Sequence, residues 1–396
     1  MFQSLQNAPP DPILGLTAAF REDTNPDKIN LGVGIYKDAE GKTPSLASVH
    51  QAETRLLQAA GDKGYLPIAG SPAYRRRVLE LMIGREHEAL ASGRALSAQT
   101  PGGTGALRVA ADFLHQKFPT ATIWMSSPTW ANHGNIFASA GMPTATYAYY
   151  DADAKNLNFD AMLAELKEIP AGDVVLLHGC CHNPSGIDPT PQQWKQIGDV
   201  VYERGLLPLV DFAYQGFGDG LTDDAAGLRE MLRPGAELLV ASSFSKNFGL
   251  YRERTGALTA IADSADSAWA AMSHIEKAIR SNYSNPPYHG AGIVETILGD
   301  DKLRAQWEGE LASMRDRING MRRLFVETMK EKLPGHDFSF IAGQRGMFSF
   351  SGLTPMQVDE LKSKHSIYIV NSGRINVAGI NAGNVERLCD AIAAVI

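Results

Sequence analysis

The chain has 396 residues, 44% of them hydrophobic and 20% charged, with a formal net charge of −7. This is ordinary globular composition, long enough for two domains or for one large domain with an appendage. The acidic balance leaves no footprint for a phosphate backbone, so a nucleic-acid partner is not expected. Nor is a membrane span, because no apolar run approaches about 18 residues. Cys180, Cys181 and Cys389 form no disulfide framework and fit a reducing compartment.

The first residues lack the basic start and apolar core of a signal peptide, so the expected location is cytoplasmic. Pro9, Pro10 and Pro12 read as an extended arm over residues 1–14, of the kind that lies on a partner subunit. From about 100 to 260, short β-like runs alternate with amphipathic stretches. Strands are predicted at 121–125, 174–178, 206–210 and 237–241, and helices at 104–117 and 191–204. Such alternation predicts βαβ units: an α/β fold with a large domain whose mostly parallel sheet is flanked by helices. After about 311 the pattern becomes a long charged helix (315–331) and short β-like runs at 338–341, 347–350 and 375–378. This reads as a smaller α+β domain of residues 15–47 and 311–396, with the large domain at 48–310.

Chemistry concentrates where the predicted strands end, which is where ligands bind in open α/β sheets. Ser127-Pro128-Thr129-Trp130 follows the first strand and His182-Asn183-Pro184 the second. Asp211-Phe212-Ala213-Tyr214 follows the third and Ser243-Phe244-Ser245-Lys246 the fourth. Alone, Lys246 would be a solvated loop residue. Behind a buried strand, a desolvated amine has a lowered pKa and becomes a nucleophile toward carbonyls. Ser243, Ser245 and Arg254 could hold a phosphate nearby. Gly102-Gly103-Thr104-Gly105 opens a helix and suits an anion at its N-terminus, although it is neither a P-loop nor a good dinucleotide fingerprint. Asp211 could pair with a pyridinium nitrogen, with Tyr214 reaching the same ring. Arg374 and Arg280 are candidates for binding carboxylates. Cys180-Cys181-His182 lacks a second ligand pair at metal-binding spacing. His133 and His178 read as core or supporting residues.

Together these segments resemble the fold-type I pyridoxal-phosphate aminotransferases, and among them the aspartate and aromatic-amino-acid aminotransferases. The resemblance runs end to end through Asp11-Pro12-Ile13-Leu14-Gly15-Leu16, Asn30-Leu31-Gly32-Val33-Gly34, Thr100-Pro101-Gly102-Gly103-Thr104-Gly105, His182-Asn183-Pro184, Asp211-Phe212-Ala213-Tyr214, Ser243-Phe244-Ser245-Lys246 and Gly373-Arg374. It implies pyridoxal 5'-phosphate held covalently by Lys246, which also shuttles the proton. Asp211 would pair with the ring nitrogen, backed by His133, and Trp130 would stack on the ring. Tyr214 and Asn183 would bind the phenolic oxygen, Asn183 also reaching the substrate carboxylate. The phosphate would be held by Gly103, Thr104, Ser243, Ser245 and Arg254, and by Tyr65 from the other subunit. Gly34 and Arg374 would bind near the substrate's α-carboxylate, and Arg280 from the other subunit would take a distal carboxylate.

The implied activity is ping-pong transfer of an amino group between an amino acid and a 2-oxo acid by a homodimer with shared sites. Ser185 stands where the family often has Thr. Lys37, Thr43 and Asn285 resemble the aspartate-preferring members, while Ile35, Gly64 and Tyr65-Leu66-Pro67 resemble the aromatic-accepting ones. Two other readings stand beside this one: a lyase or decarboxylase using the same cofactor, and a non-enzymatic binding protein.

Overall fold

The computed structural model describes residues 2–7, 12–59 and 61–396. Its centre is a seven-stranded sheet. In chain order the strands are β1 (Ala95–Pro101), β2 (Ile123–Ser127), β3 (Thr144–Ala148), β4 (Val174–His178), β5 (Leu207–Phe212), β6 (Leu238–Ser243) and β7 (Thr255–Ile261). Their spatial order is β1-β7-β6-β5-β4-β2-β3. β7 runs antiparallel to both neighbours, and the remaining pairings are parallel.

The apolar runs make central strands because both faces are covered. Every residue of β4, β6 and β7 is buried. Side chains alternate between two cores, as strand geometry requires. Val174, Leu176, Leu209 and Ala241 pack on one side with Leu107, Leu114 and Ile275, whereas Val175, Leu177, Val210 and Val240 pack on the other with Ile197, Val201 and Leu228. Helix α1 (Gly102–Lys117) leaves β1 without a connecting loop, and α2 (Ala265–Asn282) lies against it. The parallel register sets His178 beside Asp211, and Asp211 beside Ala241, so the strand ends that carry polar groups are level.

The chain ends meet where Ile29–Asn30 pairs in parallel with Ile367–Tyr368. Within the C-terminal segment, Phe348–Phe350 pairs antiparallel with Arg374–Asn376. Several expectations are corrected. The long helix, α3 (Asp301–Lys332), begins well before 315, because Asp300 caps it by accepting from Lys302 N and Leu303 N at 2.9 Å. It runs unbroken through position 311. Residues 338–341 belong to a 3-10 helix (Ser339–Gly343), not a strand, since Asp337 turns the chain by accepting from Ser339 N at 2.7 Å. The run 375–378 divides into a strand end and a 3-10 helix (Val377–Gly379). At the N-terminus, Phe2–Ser4 form a 3-10 turn and Pro12–Glu22 an α-helix started by a proline, so the extended course ends sooner than expected. Pro9 and Pro10 lie outside the described residues. No helix among the described residues is long and apolar enough to cross a membrane.

Candidate active site

A cavity of about 250 Å³ opens beyond the carboxyl ends of β4, β5 and β6, at the start of α1. Every residue singled out from the sequence as a site residue lines it except Tyr65 and Arg280. Asn183, Asp211, Tyr214, Ser243, Ser245 and Lys246 lie at or just beyond the ends of buried strands of the central sheet, and Gly103 and Thr104 open α1, whereas Gly34 and Arg374 come from the segments near the chain ends.

On one wall stands Asp211, at the end of β5. Its Oδ2 lies 3.0 Å from His133 Nε2. His133 Nδ1 lies 2.8 Å from Thr129 Oγ1, which lies 3.0 Å from His178 Nε2, and His178 Nδ1 accepts from Asn183 N at 3.4 Å. One proton ordering satisfies the whole chain: Asn183 N–H to His178, His178 N–H to Thr129, Thr129 O–H to His133, and His133 N–H to Asp211. Burial drives His178 down to about 3 and so keeps it neutral, which this ordering needs. Burial by itself would raise the Asp211 carboxyl. The hydrogen bond from His133 outweighs that, with the charge of Lys246 adding to it, and holds the carboxyl below the usual carboxylate range.

Facing Asp211 is Lys246. Burial lowers its amine to about 8, with Asp211 opposing the fall and Arg254 and Arg374 adding to it. Its Nζ sits 4.4 Å above the Tyr214 ring. Burial also drives the Tyr214 phenol far above its ordinary value, so it is a hydrogen-bond donor at any ordinary pH.

The floor offers an anion cradle. The N-terminus of α1 presents free N–H groups at Gly103 and Thr104. Ser243 and Ser245 are buried beside it. Arg254 Nη1 donates to Ser245 Oγ at 3.4 Å and to the Tyr251 carbonyl at 3.0 Å. The fit is close: the φ of +76° at Gly102 favours glycine, and a Cβ on Gly103 would come within 3.1 Å of Ser243 Cβ.

At the far wall, Arg374 is only 5% exposed and has no carboxylate partner among the described residues. Nη2 donates to the Gly32 carbonyl at 2.6 Å and Nη1 to Asn183 Oδ1 at 3.3 Å, while Nε has no partner. The Phe348 ring lies 4.2 Å from the guanidinium carbon. A buried cation with a donor left over is a site for an anion.

Tyr65 is 94% exposed and lies outside the cavity. Arg280 is exposed on α2, where its guanidinium donates to Ser284 Oγ. Sequence reasoning missed Tyr251, Phe348 and Leu107 as lining residues. Tyr251 stands in the segment after Lys246, whereas Phe348 carried no signal beyond membership of a short apolar run. Thr129 was also missed as the bridge between two histidines. A more open depression of about 650 Å³ lies elsewhere, between α3 and Gly84–Arg85. It holds no lysine, histidine or cysteine, and several of its charges meet one another, as in Arg304–Glu308 at 2.9 Å. Cys180, Cys181 and Asp224 have sulfur and oxygen atoms within 4.8 Å of one another. Asp224 already accepts from four backbone N–H groups, at 2.7 to 3.4 Å, which occupies its lone pairs.

An open α/β sheet with an amine, a carboxylate and an anion cradle at its carboxyl edge defines a class of enzyme built around a bound aldehyde cofactor. Residues 26–392 match the family of class I and II aminotransferases, and the chain belongs to that family. It is 54% identical over 396 residues to the aspartate aminotransferase of Salmonella typhi, with all of each chain covered. It is 48% identical to the aromatic-amino-acid aminotransferase of Pseudomonas aeruginosa, covering 100% of this chain and 98% of that one. The crystal structure of the aromatic-amino-acid aminotransferase from Burkholderia pseudomallei, covalently bound to pyridoxal phosphate, superposes with a TM-score of 0.97 at 48% identity, covering 100% of this chain and 99% of that one. The fold is thus the fold-type I aminotransferase fold.

Proposed function

We propose that this chain is a pyridoxal-phosphate-dependent aminotransferase that passes the amino group of aspartate, tyrosine or phenylalanine to 2-oxoglutarate. In this reading it works in the cytoplasm as a homodimer with shared active sites. The observation that carries the proposal is the Lys246 amine, buried and lowered to about 8, between a carboxylate and an anion cradle.

The residues present fit the cofactor. The glycine floor at Gly102 and Gly103, with Ser243, Ser245, Thr104 and Arg254, suits a phosphate dianion. Asp211, kept ionised, suits a protonated pyridine nitrogen. When bound, pyridoxal phosphate supplies an aldehyde for an amine and a ring that accepts electron density from Cα. The chain does the rest. Lys246 would hold the group's aldehyde at rest and would be freed when the substrate's amine takes its place. Near pH 8 the freed amine can both take the Cα proton and return it, a service worth about 10²–10⁴-fold in rate. Asp211, aligned by His133, keeps the ring nitrogen protonated. Tyr214 and Asn183 donate to the phenolic oxygen, and Trp130 covers the ring. Arg374 takes the α-carboxylate through its spare donor, under the roof made by Gly34. Tyr65 of the partner subunit would complete the phosphate site, and Arg280 of the partner subunit would receive a distal carboxylate. Both are exposed in a single protomer, which supports a shared site. The two-lobe division, 15–47 with 311–396 against 48–310 and with 1–14 as an arm, draws support from the ribbon joining the chain ends.

A lyase or decarboxylase is the main rival. Paired arginines for both carboxylates of a diacid favour transfer. With aspartate, oxaloacetate supports transfer, whereas alanine alone would mark decarboxylation. Lys246→Ala is expected to abolish turnover and the lysine-dependent cofactor absorbance while leaving the circular-dichroism spectrum intact. Near-normal turnover by that variant would refute the assignment. Comparing kcat/KM for aspartate, phenylalanine and tyrosine ranks the donors.

A further inference from the structure

Gly34 lies in the roof of the cavity, on a strap of residues 32–38 that has almost no secondary structure of its own. Something outside the strap must hold it. Asn376 is 1% exposed and stands two residues after Arg374 on the same strand, so their side chains share a face. Its amide nitrogen donates to the carbonyl of Val33 at 2.6 Å and to that of Ile35 at 2.9 Å, the two residues on either side of Gly34. Its amide oxygen accepts from Ala378 N at 3.2 Å, which fixes which end of the amide faces the strap. Between the two held carbonyls, Ile35 N donates to Val33 O at 3.0 Å and closes a tight turn around Gly34. Opposite Asn376 in the ribbon is Phe348, and a Cβ on Gly34 would come within 2.7 Å of that ring's Cζ. The strap's other fastenings include Arg374 to the Gly32 carbonyl, Tyr36 N to the Tyr251 hydroxyl at 2.9 Å and Arg317 Nη2 to the Asp38 carbonyl at 2.9 Å.

We propose that Asn376 is a positioning residue whose amide straddles Gly34 and so sets the roof of the substrate pocket relative to Arg374. Asn376 is not among the residues lining the cavity; it acts through Gly34. Because one short strand carries both Arg374 and Asn376, the carboxylate-binding cation and the roof move as one piece. The proposal rests on the aminotransferase reading, and it adds that substrate affinity depends on a side chain the substrate never meets.

The test uses the cofactor-loaded enzyme. Asn376→Asp keeps the shape and the acceptor for Ala378 but replaces both donors with an oxygen that repels the carbonyls. It is expected to lower kcat/KM for the amino-acid donor by about 10- to 100-fold, as two lost hydrogen bonds would. The loss should fall mainly in KM, and the pH titration of the lysine-dependent absorbance should not move. Gly34→Ala disturbs the same roof from the other side, and the double variant should be no worse than the poorer single one. An unchanged KM in Asn376→Asp, or losses that simply multiply in the double variant, would overturn the clamp. Should Asn376→Asp not fold, Asn376→Ala takes its place in the same cycle. Turnover and absorbance of the unmodified enzyme test the aminotransferase reading separately, so the two ideas fail in different proteins.

Discussion

Thr129 shows how a single hydroxyl can align a carboxylate's partner. By accepting from His178 and donating to His133 Nδ1 it turns the His133 Nε2–H toward Asp211. Lys246 carries the opposite burden. Its folded-state amine titrates near 8 and its unfolded-state amine near 10.5. Between those values the unfolded chain binds more protons, so stability of the cofactor-free protein should rise with pH across that window and be lowest below it. Lys246→Met removes the burden. In the cofactor-free state it should be more stable than the unmodified chain at pH 7, by up to roughly 3 kcal/mol. The advantage should vanish near pH 10.5, and urea unfolding at the two pH values measures it. Equal stability of the two proteins at pH 7 would mean that the amine is hydrated. Lys246 and Asp211 were legible in the sequence because each stands close to the carboxyl end of an apolar run. Thr129 was not, because its role depends on two histidines that only folding brings together, one of them 49 positions away.

At the scale of elements, the junction of β1, β7 and α1 is the tightest part of the site. A Cβ on Gly256, in β7, would come within 2.5 Å of the Gly102 backbone carbon and 2.7 Å of the Ser242 carbonyl oxygen. These are backbone atoms of neighbouring elements, so neither can swing aside. Gly256→Ala should therefore cost about 1–3 kcal/mol of stability and weaken phosphate-dependent cofactor binding. A melting curve and a pyridoxal-phosphate titration check the two effects, and a variant unchanged in both would show that the junction yields. The parallel strands could be read in advance because burial on two faces leaves near-continuous apolar runs. β7 escaped notice: Thr255 and Thr259 interrupt its pattern, and it runs against its neighbours. The true start of α3 was hidden too. Its first turns are strongly charged, and the signal was a lone capping aspartate rather than a hydrophobic period.

For the whole molecule, the decisive question is whether two chains build each site. The exposed Tyr65 and Arg280 give the reading a direct test. Lys246→Ala and Arg280→Ala each disable their own homodimers, yet a hybrid dimer would hold one site with both lesions and one with none. Mixing the two variants under conditions that exchange subunits should restore up to about a quarter of full activity with aspartate, as random reassociation predicts. No recovery despite proven exchange would place both residues in a single chain's site. Tyr65 and Arg280 could be named from the family resemblance but not from the fold of one protomer, since one chain gives neither of them a place in the cavity.

The pairing of Ile29–Asn30 with Ile367–Tyr368 has a bearing on how the protein is made. A nascent chain emerges from the ribosome amino end first. The sheet, Lys246 and the phosphate cradle are all translated before the segment that carries Arg374 and Asn376. The early segment at 29–30 must wait unpaired for a partner more than three hundred codons downstream. Until that partner arrives, the chain holds Lys246 but not Arg374, so on the proposed reading a polypeptide interrupted before residue 367 would lack the cation meant for the substrate's carboxylate.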